Sequence, residues 1–211
     1  MDKNAIHCMQ KLKNDIKGRI LQVAETLFLQ KGFLKTSMRE IAETANIGVG
    51  NIYHYFPGKN EIFRAIVRPV TDAFENMLQS HHGARGEDLM QLCSESYLRK
   101  VVDEYLSLIK NNRQLMTLLL FRAQGSSLEY FREQFTDQST EVVKAWFADM
   151  KLKYPAAHIA VSDFFIHLHA VWMFTLFEEI IMHQIQSPEI EQIISEYIRF
   201  EITGWRNIIS I

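Results

Sequence analysis

Cysteine, proline and glycine are all scarce in this chain. Its two cysteines, Cys8 and Cys93, form no CxxC or other metal-spaced pair and allow at most one bridge. That excludes a disulfide framework and makes a reducing cytoplasm the expected compartment. Four Pro and nine Gly in 211 residues leave few turn formers, so many short strands are excluded and an all-α fold is expected. Long apolar runs are also missing. The richest stretches, Leu115 to Phe121 and Phe164 to Ile181, are bounded or broken by Arg122, His167, His169, Glu178 and Glu179, so no membrane association is expected. Met1 to Lys13 hold neither an apolar stretch of signal-peptide length nor a small-residue cleavage site, and read as a mobile tail. No Gly-rich phosphate loop, HExxH or nucleophile–base pair is found, so no enzyme, cofactor or metal site is expected.

What is present is ordinary globular material: 47% apolar and 23% charged residues, enough for one large domain or two small ones. The net charge of −2 conceals an asymmetry. Residues 1–60 hold nine Lys and Arg against five Asp and Glu, whereas residues 61–211 hold fourteen against twenty. A small basic head precedes a larger acidic body.

Helical spacing of Ile16, Ile20, Ala24, Leu27 and Phe28 predicts a first helix from Asp15, ended by Gly32. Ser37-Met-Arg-Glu40 has the form of a capping box ahead of Met38, Ile41, Ala42 and Ala45, a short second helix. Asn46-Ile47-Gly48 supplies a tight turn, and Val49 to Phe56 a third short helix before Pro57-Gly58. A fourth helix from Lys59 buries Ile62, Phe63, Ile66, Val70, Phe74 and Met77 and is kinked at Pro69. Ser80 to Gly86 reads as a loop. Beyond it lie a helix through Leu89, Leu92, Ser96, Val101, Tyr105 and Leu108 ended by Asn111-Asn112, an apolar helix Leu115 to Ala123, and one from Leu128 to about Lys153. A long helix from Ala156 to about Gln184 and a last one opened by Ser187-Pro188 bring the expectation to about nine helices and no strand.

Two short helices meeting across three residues, with small Ala42 and Ala45 at the contact, have the form of a helix-turn-helix. Asn51, Tyr53 and His54 on the third helix offer donors and acceptors to bases and phosphates, and Gly50 permits close backbone approach. Tyr53 and Phe56, at i and i+3, also have the spacing of core aromatics. The segments Ile20-x-x-Ala24-x-x-Leu27-Phe28, Lys31-Gly32-Phe33, Thr36-Ser37-Met38-Arg39-Glu40-Ile41-Ala42 and Gly50-Asn51-Ile52-Tyr53-His54-Tyr55-Phe56, followed by Lys59-Asn60-Glu61, resemble the tetracycline-repressor (TetR/AcrR) family of bacterial transcription regulators. The resemblance covers roughly residues 13–73. It implies a three-helix DNA-binding domain over 13–73 and a helical effector-binding and dimerisation domain over 74–211. It places Thr36, Ser37, Tyr53, Tyr55 and Lys59 mainly on phosphates and Val49, Asn51 and His54 nearer the bases, with Arg39 and Gly50 completing the DNA-binding set. Asn46, Gly48 and Val49 depart from the family's usual residues; Val49 can touch a thymine methyl but makes no hydrogen bond.

A head of net charge +4 binds DNA weakly alone, so a homodimer on a palindromic double-stranded operator is expected. The last two helices suit a four-helix dimer bundle through Phe164, Leu168, Val171, Trp172, Leu176 and Ile180 on one and Ile190, Ile194, Tyr197, Ile198, Trp205 and Ile208 on the other; the same stripes also suit an intramolecular core. The resemblance further implies that a small molecule binds the body and changes operator affinity. Phe121, Arg122, Trp146, His167 and Trp172 are the candidate pocket residues, each with a structural alternative: Arg122 in an ion pair, the aromatics in plain core. Pro69 reads either as a hinge or as a fixed kink. The expected function is a DNA-binding regulator, a repressor first; the rivals are a helical ligand-binding or catalytic protein with a vestigial head, and an activator or nonspecific DNA binder.

Overall fold

The structure, a computed structural model, describes residues 3–83, 86–91 and 94–210; Ala84, Arg85, Leu92 and Cys93 lie outside them. The described residues form eight α-helices and one pair of two-residue strands: α1 (Lys3–Lys35), α2 (Met38–Thr44), α3 (Val49–Ile52), α4 (Lys59–His82), α5 (Glu95–Phe121), α6 (Phe131–Lys153), β1 (His158–Ile159), α7 (Asp163–Met182), α8 (Ser187–Ile208) and β2 (Ile209–Ser210). The all-α class expected from the scarcity of turn formers is what the chain adopts.

Several boundaries differ from the sequence reading, each for a local reason. Helix α1 opens at Lys3 rather than after a mobile tail; residues 3–13 contain no Gly or Pro and several strong helix formers. Gly32 (φ 82°, ψ 165°) interrupts it where expected. Helix α3 is regular only through Ile52, and residues 53–55 continue as turns. Helix α4 runs through His82 into the segment expected as a loop, because His81 is held there by Glu104 and by the Tyr97 hydroxyl at 3.1 Å. Asn111-Asn112 does not end a helix. Asn112 leaves helical geometry (φ −127°, ψ 16°), but its side-chain amide donates to the Leu108 carbonyl at 3.1 Å and α5 continues, so two expected helices are one and the number is eight rather than nine. Residues 156–162 are not helical and the expectation of no strand fails: β1 pairs antiparallel with β2, His158 opposite Ser210 and Ile159 opposite Ile209, where both isoleucines are buried.

The chain divides into two compact units: Met1–Pro69 with Gln114–Tyr130, and Val70–Arg113 with Phe131–Ile211. In the first, the core is Ile20, Ala24, Phe28, Ile41, Ala42, Ile52, Ile62 and Phe63, with Met116 and Leu118 from the end of α5. Phe28, Phe33 and Phe63 form a triangle with ring centroids 5.3–5.7 Å apart. In the second, fully buried Phe74 is surrounded by Phe131, Phe135, Phe174 and Phe177 at 5.2–5.9 Å. Helix α7 is long and apolar enough to cross a membrane by length and composition, so the sequence estimate of its polarity was too high, yet its Phe174 and Phe177 are fully buried and it packs chiefly on α6. The Arg113 guanidinium closes its end by donating to the Ile185 and Ile180 carbonyls at 2.6 and 3.0 Å. Ile190, Ile194 and Ile198 of α8 are buried within the chain itself, whereas Phe164 and Phe200 stand out to solvent.

Candidate nucleic-acid interface and body cavity

The first unit is held by side chains that satisfy its own backbone. The Thr36 hydroxyl donates to Gly32 O at 2.9 Å, and the residue is only 2% exposed. Ser37 caps α2 by accepting the Glu40 N–H at 3.1 Å. The reciprocal half of the expected capping box is replaced, since the Glu40 carboxylate pairs with Lys31. Lys59 turns inward: its ammonium donates to Phe33 O (2.8 Å) and Thr36 O (2.7 Å) and lies 4.1 Å from the centre of the Phe33 ring, and burial lowers its pKa. Arg39 is exposed and bonds Glu43 one turn on at 2.8 Å.

The turn between α2 and α3 takes its left-handed residue at Asn46 (φ 52°), while Gly48 has ordinary φ and accepts from the Asn51 and Ile52 amides. Buried Ile52 and Phe56 anchor this short helix and the turn after it. With these two directed inward, Val49, Gly50, Asn51, Tyr53 and His54 are left exposed, and Tyr55 half-buried. Nothing lies within 4 Å of where a Cβ on Gly50 would stand. A short apolar anchor thus presents a hydroxyl, an amide and an imidazole together, chemistry suited to base edges and phosphate oxygens. Of the ten DNA-binding candidates, Thr36 and Lys59 are turned toward the protein's own carbonyls and Ser37 caps a helix; the rest are exposed or half-buried. Sequence reasoning also missed that residues 114–130 belong with this unit: Phe33 N–H donates to Arg122 O at 2.9 Å, and Ser127 N–H to the Asn60 side chain at 2.8 Å.

The second unit holds a partly open cavity of about 160 Å³. Trp146 lines it, its indole N–H donating to Glu87 O at 3.0 Å. Phe121 and Arg122 are exposed residues of the first unit, and His167 and Trp172 are half-buried outside the lining. His167 faces Asp137 at 3.7 Å, while His169, which does line the cavity, meets Glu201 at 2.5 Å. Burial, then neighbouring His81 and His169, push His82 down to about 3, so its ring is neutral at pH 7. Burial and the Glu201 carboxylate push the Tyr197 phenol above its usual range. The signal for Ser139 and Glu201 was a polar residue on an apolar stripe: Ser139 follows Phe135 by one turn, and Glu201 sits between Ile198 and Trp205.

Residues 20–66 match the family described as bacterial regulatory proteins, tetR family. The chain is 32% identical over 104 residues to "Probable HTH-type transcriptional regulator YttP" of Bacillus subtilis, covering 49% of this chain and 48% of that one. It is 34% identical over 59 residues to the HTH-type transcriptional repressor KstR2 of Mycobacterium tuberculosis, covering 28% and 30%. The chain therefore spans about half or less of the length of these relatives. Among solved structures, NalD of Pseudomonas aeruginosa, described as the secondary repressor of the MexAB-OprM multidrug efflux pump, shares the fold over 92% of this chain and 96% of its own with a TM-score of 0.63 and 19% identity. An Aquifex aeolicus transcriptional regulator gives 0.55, with 19% identity over 88% of this chain and 98% of that one.

Proposed function

We propose, for a chain whose residues 20–66 match the tetR family of bacterial regulatory proteins, a DNA-binding transcriptional regulator that acts as a homodimer on a palindromic operator and is released by a small molecule held in the body. The observation that carries this reading is the exposed set Asn51, Tyr53 and His54 over buried Ile52 and Phe56. Val49, Asn51 and His54 meet base edges, and Tyr53, Tyr55, Ser37 and Arg39 meet phosphates. Thr36 and Lys59 act behind them, fixing the chain that leads into α2. DNA binding is assigned to residues 13–73 and effector binding and dimerisation to 74–211, of which 114–130 fold with the first unit. Repression is the favoured sign, and the cytoplasm, where its DNA lies, the place of action.

Dimerisation supplies what a single head of net charge +4 lacks, because two heads double the phosphate contacts and steepen the salt dependence. Exposed Phe164 and Phe200, on α7 and α8, belong to the helices expected to form the bundle. The body cavity, with Trp146 in its wall, is the effector site; Phe121, Arg122, His167 and Trp172 lie outside that lining and have no assigned contact with the effector.

Selection of duplexes from a random DNA pool at near-physiological salt tests the reading. The native protein recovers one inverted repeat, and a Tyr53→Ala, His54→Ala double variant does not. Recovery of no sequence by the native protein overturns it and leaves a ligand-binding body with a vestigial head. Affinity that falls with salt but hardly varies between sequences identifies a nonspecific binder instead.

A further inference from the structure

Among the described residues, Ser139 Oγ, Tyr197 OH and Glu201 Oε1 are the buried side-chain polar atoms that make no hydrogen bond of ordinary length, the Tyr197 hydroxyl and the Glu201 carboxylate being near enough to interact, and all three residues line the same cavity. Ser139 and Glu201 are more than nine-tenths buried. Folded proteins rarely leave such atoms unpaired, and their convergence on one cavity marks a place where a ligand completes the bonding.

The bonding capacities define the missing group. Tyr197 keeps its proton, and it and Ser139 each have an O–H to donate. Glu201 already offers its other oxygen to His169 Nε2 at 2.5 Å, so Oε1 remains to accept. The ligand's polar end must both donate and accept. A neutral hydroxyl does both, with one O–H and two lone pairs. A carboxylate cannot donate to Glu201 and repeats its charge. An ammonium has no lone pair for Tyr197 or Ser139, and it meets surroundings whose burial already disfavours a proton on His82. The rest of the wall is chiefly apolar, with Trp146, Phe147, Met173 and Trp205. About 160 Å³ matches one ring and a few carbons, since an engineered apolar cavity of about 150 Å³ admits benzene.

We propose that the cavity selects a neutral, hydroxyl-bearing apolar molecule of one-ring size, with its hydroxyl bonded to Glu201, Tyr197 and Ser139. This rests on reading the cavity as the effector site.

The test titrates the full chain by NMR with p-cresol, toluene, p-toluate and p-methylbenzylamine, following the Trp146 and Trp205 indole signals. p-Cresol binds roughly ten-fold tighter than each of the others. Tyr197→Phe and Ser139→Ala each remove most of that preference while leaving toluene binding within about two-fold of the native value. Equal binding of toluene and p-cresol, preference for the acid (which would implicate Arg206 of the lining) or for the amine, or no binding of any probe overturns the proposal. Operator release is scored separately in the same samples. p-Cresol binding without release of bound operator keeps the ligand class and removes the effector reading; absence of operator binding by the unliganded protein removes the regulator reading alone.

Discussion

The two units differ in the polar groups around their candidate sites, although the second also pairs its buried His81, Thr136 and Thr140. In the first, Thr36 and Lys59 sit among apolar residues with their donors committed to nearby carbonyls, and the groups suited to DNA stand outside on a closed core. In the second, Ser139, Tyr197 and Glu201 surround a cavity with polar atoms unmatched. A closed core pre-organises the surface above it, whereas unmatched groups around a cavity leave bonds for a ligand to make. Unmet groups cost stability, and a ligand that meets them restores it by binding the native state alone.

Breaking the closed side gives the largest effect. Phe63→Ala removes a fully buried ring in edge contact with Phe28 and Phe33, and urea unfolding followed by circular dichroism should register a loss of about 3–5 kcal/mol. Lys59→Met keeps the stem but removes two charged hydrogen bonds and a cation–π contact, so a loss of about 2 kcal/mol is expected without any DNA present. Unchanged stability there would return Lys59 to a purely phosphate-binding role.

The open side is sharpened by pH. In the unfolded chain His82 takes a proton near 6.5, and in the folded one only near 3, so stability is full above 6.5 and declines as pH falls through that range. The urea midpoint should drop between pH 7 and 5, and drop less in His82→Phe. The smallest pair of changes differs in sign: Thr36→Val should destabilise by about 1 kcal/mol, losing the bond to Gly32, and Ser139→Ala should stabilise by a similar amount, removing an unpaired hydroxyl. Equal signs would dissolve the contrast between the units.

Legibility in the sequence followed the range of the interactions involved. Local rules reached the helical class, the break at Gly32, the cap at Ser37, the Asn46 turn and the outward set on α3, because each depends on residues within one or two turns. They failed where distant contacts decide. Asn112 and His81 look like helix breakers or loop residues until Leu108 O and Glu104 supply their bonds. The strand at His158 has no local signal, since its partner is fifty residues on at β2. Lys59 reads as a free cation because the carbonyls it serves come from another helix end. In the body, aromatic and charged residues drew the pocket assignment, yet Trp146 alone among those candidates lines the cavity, and the informative residues were the inconspicuous polar ones on apolar stripes.

The link between Phe33 N–H and Arg122 O runs from backbone to backbone. Its consequence is a difference between a position and its residue over evolutionary drift. Position 122 can exchange its side chain widely among relatives and still supply the same carbonyl, so variability there says nothing against a structural duty. Three residues on, Gly125 (φ 81°) has less latitude, because its backbone lies where L side chains rarely go, whereas the Leu34 Cδ1 that a Cβ would meet at 2.8 Å ends an exposed side chain that can move aside.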